Sequence, residues 1–375
     1  MVFDDLCHFF AKNTVISAIH DVLTLYHEND ILFHEISLEG GEPLPKDSKA
    51  PTMADVAREA GVALGTVSRV VNGQAVGEEY KSKVEDAIRR LGYEYNSSGR
   101  TLRTGSTNIV ALIIPNTVNP YFALLVHHIN LALEKRNCRM MLCFTEYDTD
   151  RETEFIQMAR QNQVDGIIAL TYKPDLVIPA DIPFVTIDRF FSTSVPCIAS
   201  DNFGGGWMAA HKLKELGCKR LAFMRYSSTL TNEPSKRRDG FVSACVEMDV
   251  PFEIMCLDDG QPFSRFEDFL RSHFLGGSLT FDGLFIGTDY LAWQIIHVLR
   301  GLGLRVPEDV QVIGFDGIRI FGDQEYAVST IVQPVPEIAE ACVSTVLSRH
   351  MSNVPSLICL PVKYACGGTT KDNKE

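Results

Sequence analysis

Nowhere in the 375 residues does an apolar run reach the ~20 positions a membrane-spanning helix requires. Positive charge is short as well, with 35 Lys and Arg against 48 Asp and Glu and a net of −13. The first twenty residues carry Asp4 and Asp5 where a secretory leader would carry Lys or Arg, and no small-residue cleavage site follows, so a cytoplasmic location is expected. Cysteine is present ten times, yet no two cysteines stand in a C-x-x-C pair. Zinc knuckles and redox pairs are therefore not indicated, and reduced thiols packed as small hydrophobes are expected. No G-x-x-x-x-G-K-[ST] loop occurs, the run Gly204–Gly205–Gly206 lacks the spacing of a dinucleotide loop, and no Ser/His/Asp grouping can be assembled. An enzyme is disfavoured, and neither metal nor cofactor is expected.

What is present is ordinary globular composition, 45% hydrophobic and 22% charged, in a chain long enough for two or three domains. The acidic surplus is unevenly spread. Residues 1–50 hold three basic against nine acidic residues, whereas 51–106 hold eight against seven. Phosphate binding depends on where cations sit, so an acidic body joined to a near-neutral head still permits DNA as a partner.

The string TMADVAREAGVALGTVSRVVNG, from Thr52, reads as two short helices broken at Gly61. Thr52 can cap the first helix, Gly61 supplies the left-handed residue of a tight turn, and Val62 fills the corner. In the second helix, about 64–71, Val67, Val70 and Val71 point inward and Thr66, Ser68 and Arg69 outward. A third stretch, EEYKSKVEDAIRRLGY, repeats Tyr80, Val84, Ile88 and Leu91 on one predicted inward face. Three short helices of this size make a small DNA-reading module.

DVAREAGVALGTVSRVVNG resembles, nearly residue for residue, the DNA-binding head of the lactose- and galactose-repressor family. The resemblance implies that the second helix enters the major groove of operator DNA. It gives base-reading roles to Leu64, Gly65 and Arg69 and backbone-anchoring roles to Thr52, Thr66, Ser68 and Asn72. Arginine suits the task independently, since its planar fork pairs with a guanine edge. Two positions depart from the family pattern: Ala63 lacks a capping hydroxyl, and Gly65 lacks a base-reading side chain. The polar segment NSSGRTLRTGST, 96–107, matches the family's hinge, in which Leu102 is a minor-groove wedge flanked by Arg100 and Arg103 on the phosphates. Gly99 stands where that family usually has alanine.

From Thr107 onward, apolar runs such as NIVALIIP, RMMLCF, DGIIAL, FVTIDR, RLAFM, DGLFIG and VQVIGFDG alternate with helical stretches. That alternation predicts parallel sheets covered on both faces, divided between two lobes with a cleft. The family resemblance continues through NTVNPYF, SDNFGGG, RRDGF, GTDYLA and STIVQP and implies a fold like that of periplasmic sugar-binding proteins; it is nearest to sucrose-type operon repressors. Ligands bind open parallel sheets at the carboxyl ends of strands. Asn119, Tyr121, Phe122, Arg189, Asp201, Arg237 and Asp289 all stand there and are the predicted effector contacts.

The expected organisation is an acidic extension of unknown role (1–50), an all-α helix-turn-helix head (51–96), a hinge (97–107) and a two-lobed α/β ligand and dimerisation domain (108–375). The expected function is that of a transcription regulator, acting as a homodimer or tetramer on double-stranded operator DNA and controlled by a small-molecule effector, a sugar before a purine. A phosphocarrier protein as co-regulator is an alternative, as is a pure binding protein of the periplasmic type.

Overall fold

The computed structural model describes residues 51–71, 73–93, 106–173, 175–227, 232–320, 325–348 and 354–372. Two compact units are present, divided after Tyr95. The predicted extension, Asn72 and most of the predicted hinge, including Arg100, Leu102 and Arg103, lie outside the described residues.

In the first unit α1 (Met53–Ala60), α2 (Leu64–Val71) and α3 (Glu78–Leu91) surround a core of Val56, Ala57, Val67, Val84 and Ala87. Thr52 caps α1 reciprocally: its Oγ1 accepts from the Asp55 amide while Asp55 Oδ2 accepts from the Thr52 amide at 2.9 Å. Gly61 closes the helix at φ 65°, a conformation that costs glycine little. One expectation fails in α3. Tyr80 is half exposed, because it lies in the first turn before the helix meets its neighbours, and Ala87 takes the buried place beside Val84.

The second unit begins by docking Ser106–Asn108 on one carboxylate: Asp165 accepts from the Ser106 hydroxyl (2.6 Å) and from the amides of Thr107 (2.9 Å) and Asn108 (2.7 Å). Its first lobe contains β1 (Ile109–Ile114), α4 (Pro120–Glu134), β2 (Arg139–Phe144), α5 (Thr149–Gln161), β3 (Gly166–Ala169), β4 (Phe184–Ile187) and β5 (Cys197–Ser200). The chain then crosses over and builds α6 (Asn202–Glu215), β6 (Leu221–Ser227), α7 (Lys236–Glu247), β7 (Phe252–Asp258), α8 (Ser264–Ser272), the hairpin β8 (Phe274–Leu275) and β9 (Ser278–Leu279), β10 (Gly283–Ile286), α9 (Asp289–Gly301), β11 (Gln311–Asp316) and β12 (Ser329–Val332). It returns for α10 (Val335–Val346) and β13 (Leu357–Leu360) and crosses a third time for β14 (Lys363–Ala365).

The two sheets have orders β13-β5-β4-β3-β1-β2 and β14-β12-β11-β10-β6-β7. All pairings within them are parallel except that of β14 with β12. In β1, Val110, Leu112 and Ile114 pack with α4 and α10, and Ala111 and Ile113 pack on the other face with Ile156 of α5. Both faces being covered is why the strand reads as an unbroken apolar run. The second lobe repeats the plan, with α8 and α9 on one face and α6 and α7 on the other. Its glycine run is a packing device: a Cβ on Gly206 would fall 1.9 Å from the Arg237 carbonyl oxygen, and one on Gly240 1.9 Å from that of Phe203, so α6 and α7 touch backbone to backbone. Nine cysteines are described and none is in a disulfide.

Candidate functional site

Two surfaces have functional geometry, one on each unit. On the head, Leu64, Gly65 and Arg69 are exposed on α2, Thr66 and Ser68 are half buried, and Val67 points into the core. The face predicted to meet DNA is therefore the face turned away from the head's own core. Its cations are few. Of the six Lys and Arg between 51 and 93, four are engaged by carboxylates, in the pairs Arg58–Asp55, Lys83–Glu79, Arg89–Asp86 and Arg90–Glu59. Among the described residues Arg69 and Lys81 carry no ion pair. The Ala63 carbonyl accepts from the amides of Thr66 (2.8 Å) and Val67 (3.3 Å), opening α2 with backbone alone, as expected of a residue without a capping hydroxyl.

Between the lobes of the second unit lies a cavity of about 730 Å³. Residues following β4, β3, β1 and β2 line one wall, and residues at the ends of β11, β10, β6 and β7 line the other. Asn119, Tyr121, Phe122, Arg189 and Arg237 all reach it, as the strand-end rule predicts. Asn119 also caps α4, its Oδ1 accepting from the Tyr121 amide at 3.0 Å. The Arg189 guanidinium sits 4.4 Å from the Phe191 ring centre, and that of Arg237 sits 3.6 Å from the Phe315 ring centre.

Two predicted contacts are not on the cavity wall. Asp201 caps α6, with Oδ1 accepting from the Gly204 amide at 2.8 Å. Asp289 is buried, with Oδ2 accepting from the amides of Gly317 (2.8 Å) and Ile318 (2.7 Å) and Oδ1 from the Thr330 hydroxyl (2.6 Å). Both carboxylates satisfy backbone near the strand ends, a use that sequence position alone does not separate from ligand binding.

The cavity's buried acids are Asp188 and Asp316, with Asp258 and Asp259 also on its wall, none of them among the predicted contacts. The two buried acids each end an apolar strand run, FVTID and VIGFD, and that terminal carboxylate was the available signal. Burial pushes the Asp188 carboxyl up to about 6, against the pull of Arg237. Burial likewise drives Asp316 well above the carboxylate range, again opposed by Arg237 and reinforced by Asp289. Buried Arg225, inside the apolar run of β6, also lines the wall; desolvation pulls its pKa down to about 10, helped by repulsion from Arg237. Four buried polar atoms of the lining residues have no hydrogen-bond partner among the described residues: Tyr121 Oη, Thr171 Oγ1, Asp188 Oδ1 and Asp316 Oδ2. Buried polar groups are ordinarily satisfied, so a cluster of unsatisfied ones around a cavity suits a polar occupant.

Polar bonds tie this wall to the chain crossings. The Ser200 hydroxyl donates to Gln333 Oε1 (2.7 Å), and Gln333 Nε2 donates to Asp316 Oδ1 (2.8 Å). Arg237 donates to Asn202 Oδ1 (2.7 Å) and to the Gly287 carbonyl (2.6 Å). Ser200 and Asn202 flank one crossing and Gln333 occupies another.

Residues 52–96 match the family of bacterial regulatory proteins called lacI, and residues 210–370 match the periplasmic binding protein-like domain. A sucrose operon repressor of Pediococcus pentosaceus is 31% identical over 332 residues, covering 85% of this chain and 99% of that protein. A ribose operon repressor of Halalkalibacterium halodurans is 30% identical over 332 residues, covering 85% and 97%. The lac repressor dimer bound to operator and the anti-inducer ONPF has the same fold, with a TM-score of 0.70 at 20% identity over 86% of this chain and 99% of that one. With a helix-turn-helix head, a two-lobed domain around a polar cleft and relatives matched over nearly their whole length, the chain belongs to the lacI family of bacterial regulatory proteins, which are DNA-binding transcription regulators and not enzymes.

Proposed function

We propose that the protein is a dimeric cytoplasmic repressor of a carbohydrate uptake or catabolism operon, switched by a neutral sugar held between the lobes of its second unit. The observation that carries the sugar reading is the wall chemistry. Unsatisfied hydroxyl and carboxylate oxygens stand beside arginines, so one ligand must both donate and accept hydrogen bonds, as a polyol does. Buried carboxylates among the arginines disfavour an anion. The operons named for the two sequence relatives, sucrose and ribose, agree with this.

The mechanism follows from the wiring. A sugar that hydrogen-bonds Asp188 of the first lobe and Asp316 and Arg237 of the second draws the lobes together. Closure is felt at Ser200, Asn202 and Gln333, where the chain passes between lobes, and at Asp165, which holds the residues leading out of the hinge. On DNA, α2 presents Arg69 to a base edge with Leu64 against a thymine methyl, while Thr52, Thr66, Ser68 and Asn72 anchor the backbone. Arg100, Leu102 and Arg103 complete the hinge contact with the minor groove. Allosteric coupling of this type is worth about 1–3 kcal/mol, or roughly five- to 150-fold in operator affinity.

Fluorescence anisotropy on a palindromic operator, with and without a sugar panel, tests the reading. Arg69→Ala should abolish specific binding, and Arg237→Ala should bind DNA normally but ignore the sugar. Unaltered operator binding by Arg69→Ala would refute the head assignment. A response to purines but to no sugar would refute the effector class.

A further inference from the structure

The residues with functional chemistry on the cleft wall do not form one cluster. Along the first sheet the contributing strands run β4, β3, β1, β2, and along the second β11, β10, β6, β7. Each row spans three strand spacings, about 14 Å at ~4.8 Å per step. The unsatisfied inner groups Asp188 and Asp316 follow β4 and β11, at the start of each row. At the other end, following β2 and β7, stand Tyr147, Asp258, Asp259 and Gln261, with Tyr172 and Tyr226 beside them. A single pyranose ring is about as wide as one strand spacing, so a ring bound to the inner groups leaves the far end of the groove unused.

The far end is constructed, not merely open. Glu146 and Tyr147 hold φ angles of 52° and 62°, two successive non-glycine residues in the left-handed region. Such conformations cost free energy and persist where the surroundings enforce them. Here the Glu146 amide donates to the Pro115 carbonyl (2.8 Å) and the Asn116 side chain donates to Glu146 Oε2 (3.2 Å). The result holds the Tyr147 ring against Tyr172, centres 5.2 Å apart and edge-on, while leaving it 48% exposed toward the groove. An exposed, rigid aromatic ring next to carboxylates is suited to stack on the apolar face of a sugar whose hydroxyls are held from the side.

We infer that the cleft has a second, outer subsite made by Tyr147, Tyr172, Tyr226, Asp258, Asp259 and Gln261, and that the effector is an oligosaccharide of at least two rings. This rests on the sugar reading proposed above. Titration calorimetry of the full-length protein with common disaccharides and their constituent monosaccharides tests it. The best disaccharide should bind at least tenfold more tightly than either of its monosaccharides. Tyr147→Ala and Asp259→Asn should each weaken that disaccharide about tenfold without moving the monosaccharide Kd or the affinity for operator in the absence of sugar. A monosaccharide that binds as tightly as any disaccharide, or a disaccharide Kd untouched by both substitutions, overturns the outer subsite while leaving the sugar reading in place. Binding of a nucleobase but of no saccharide overturns both.

Discussion

Asp188 has a carboxyl that burial pushes up to about 6, and this sets a pH response for the cleft. Folded-state pKa above the unfolded value of ~3.9 means the group favours folding most below pH 4; that contribution is lost as pH rises to 6, by about 3 kcal/mol for two units. Asp188→Asn should therefore raise the melting temperature of the ligand-free protein at pH 7.5 and have little effect at pH 5. Sugar hydroxyls donate to the ionised carboxylate, so affinity should climb up to tenfold per unit as pH rises toward 6, then level off. Calorimetry from pH 5 to 8 reads this directly, and a flat profile would remove Asp188 from the binding site. At this scale the sequence was partly legible. Arg189 was legible because it follows a strand end and Arg237 because it stands in the RRDGF motif, yet Asp188, one position before Arg189, reads as part of its strand. Asp201 and Asp289 lie off the cavity wall: a carboxylate that caps a helix, as Asp201 does, or ties down a neighbouring loop, as Asp289 does, stands at the same strand end as a ligand contact would.

Among elements, central strands were readable because both faces are buried. β7 and β13 were not recognised as strands: each is only partly buried, and in β13 exposed residues alternate with half-buried ones, which weakens the apolar run that marks a strand. β5 is hidden for another reason: it is only four residues, of which Ile198 alone is large and apolar, and its burial comes from its neighbours. Helix contacts offer a sharper test. Gly206 and Gly240 allow α6 and α7 to meet at backbone distance, and the carbonyl that a Gly206 side chain would strike belongs to Arg237. Gly206→Ala should cost at least 1–3 kcal/mol in urea unfolding, as overpacking does, and should also weaken sugar binding by displacing Arg237. The exposed substitution Lys214→Ala on the same helix should do neither.

For the whole molecule, the proposed mechanism routes the effector's influence on the operator through the crossings. Ser200 is off the cavity wall but holds Gln333, which holds Asp316. Ser200→Ala leaves the Gln333 carbonyl oxygen buried without its donor, at a cost of about 1–3 kcal/mol. It should move the ratio of operator affinities with and without sugar several-fold toward one, while the sugar itself still binds. Anisotropy and calorimetry on one preparation separate the two effects, and an unchanged ratio would show that coupling runs elsewhere. The same crossings bear on biogenesis. Val335, Ile338, Ala339, Cys342, Val343 and Val346 of α10 lie in the core of the first lobe, whose other elements, the edge strand β13 apart, end at Ser200. During synthesis the first lobe therefore stays incomplete until the second has been made, whereas the head needs nothing beyond its own three helices. A nascent or truncated chain ending before α10 would display a finished DNA reader attached to an effector domain that has yet to close its core, so messages broken late in this gene would yield reading heads deaf to the sugar.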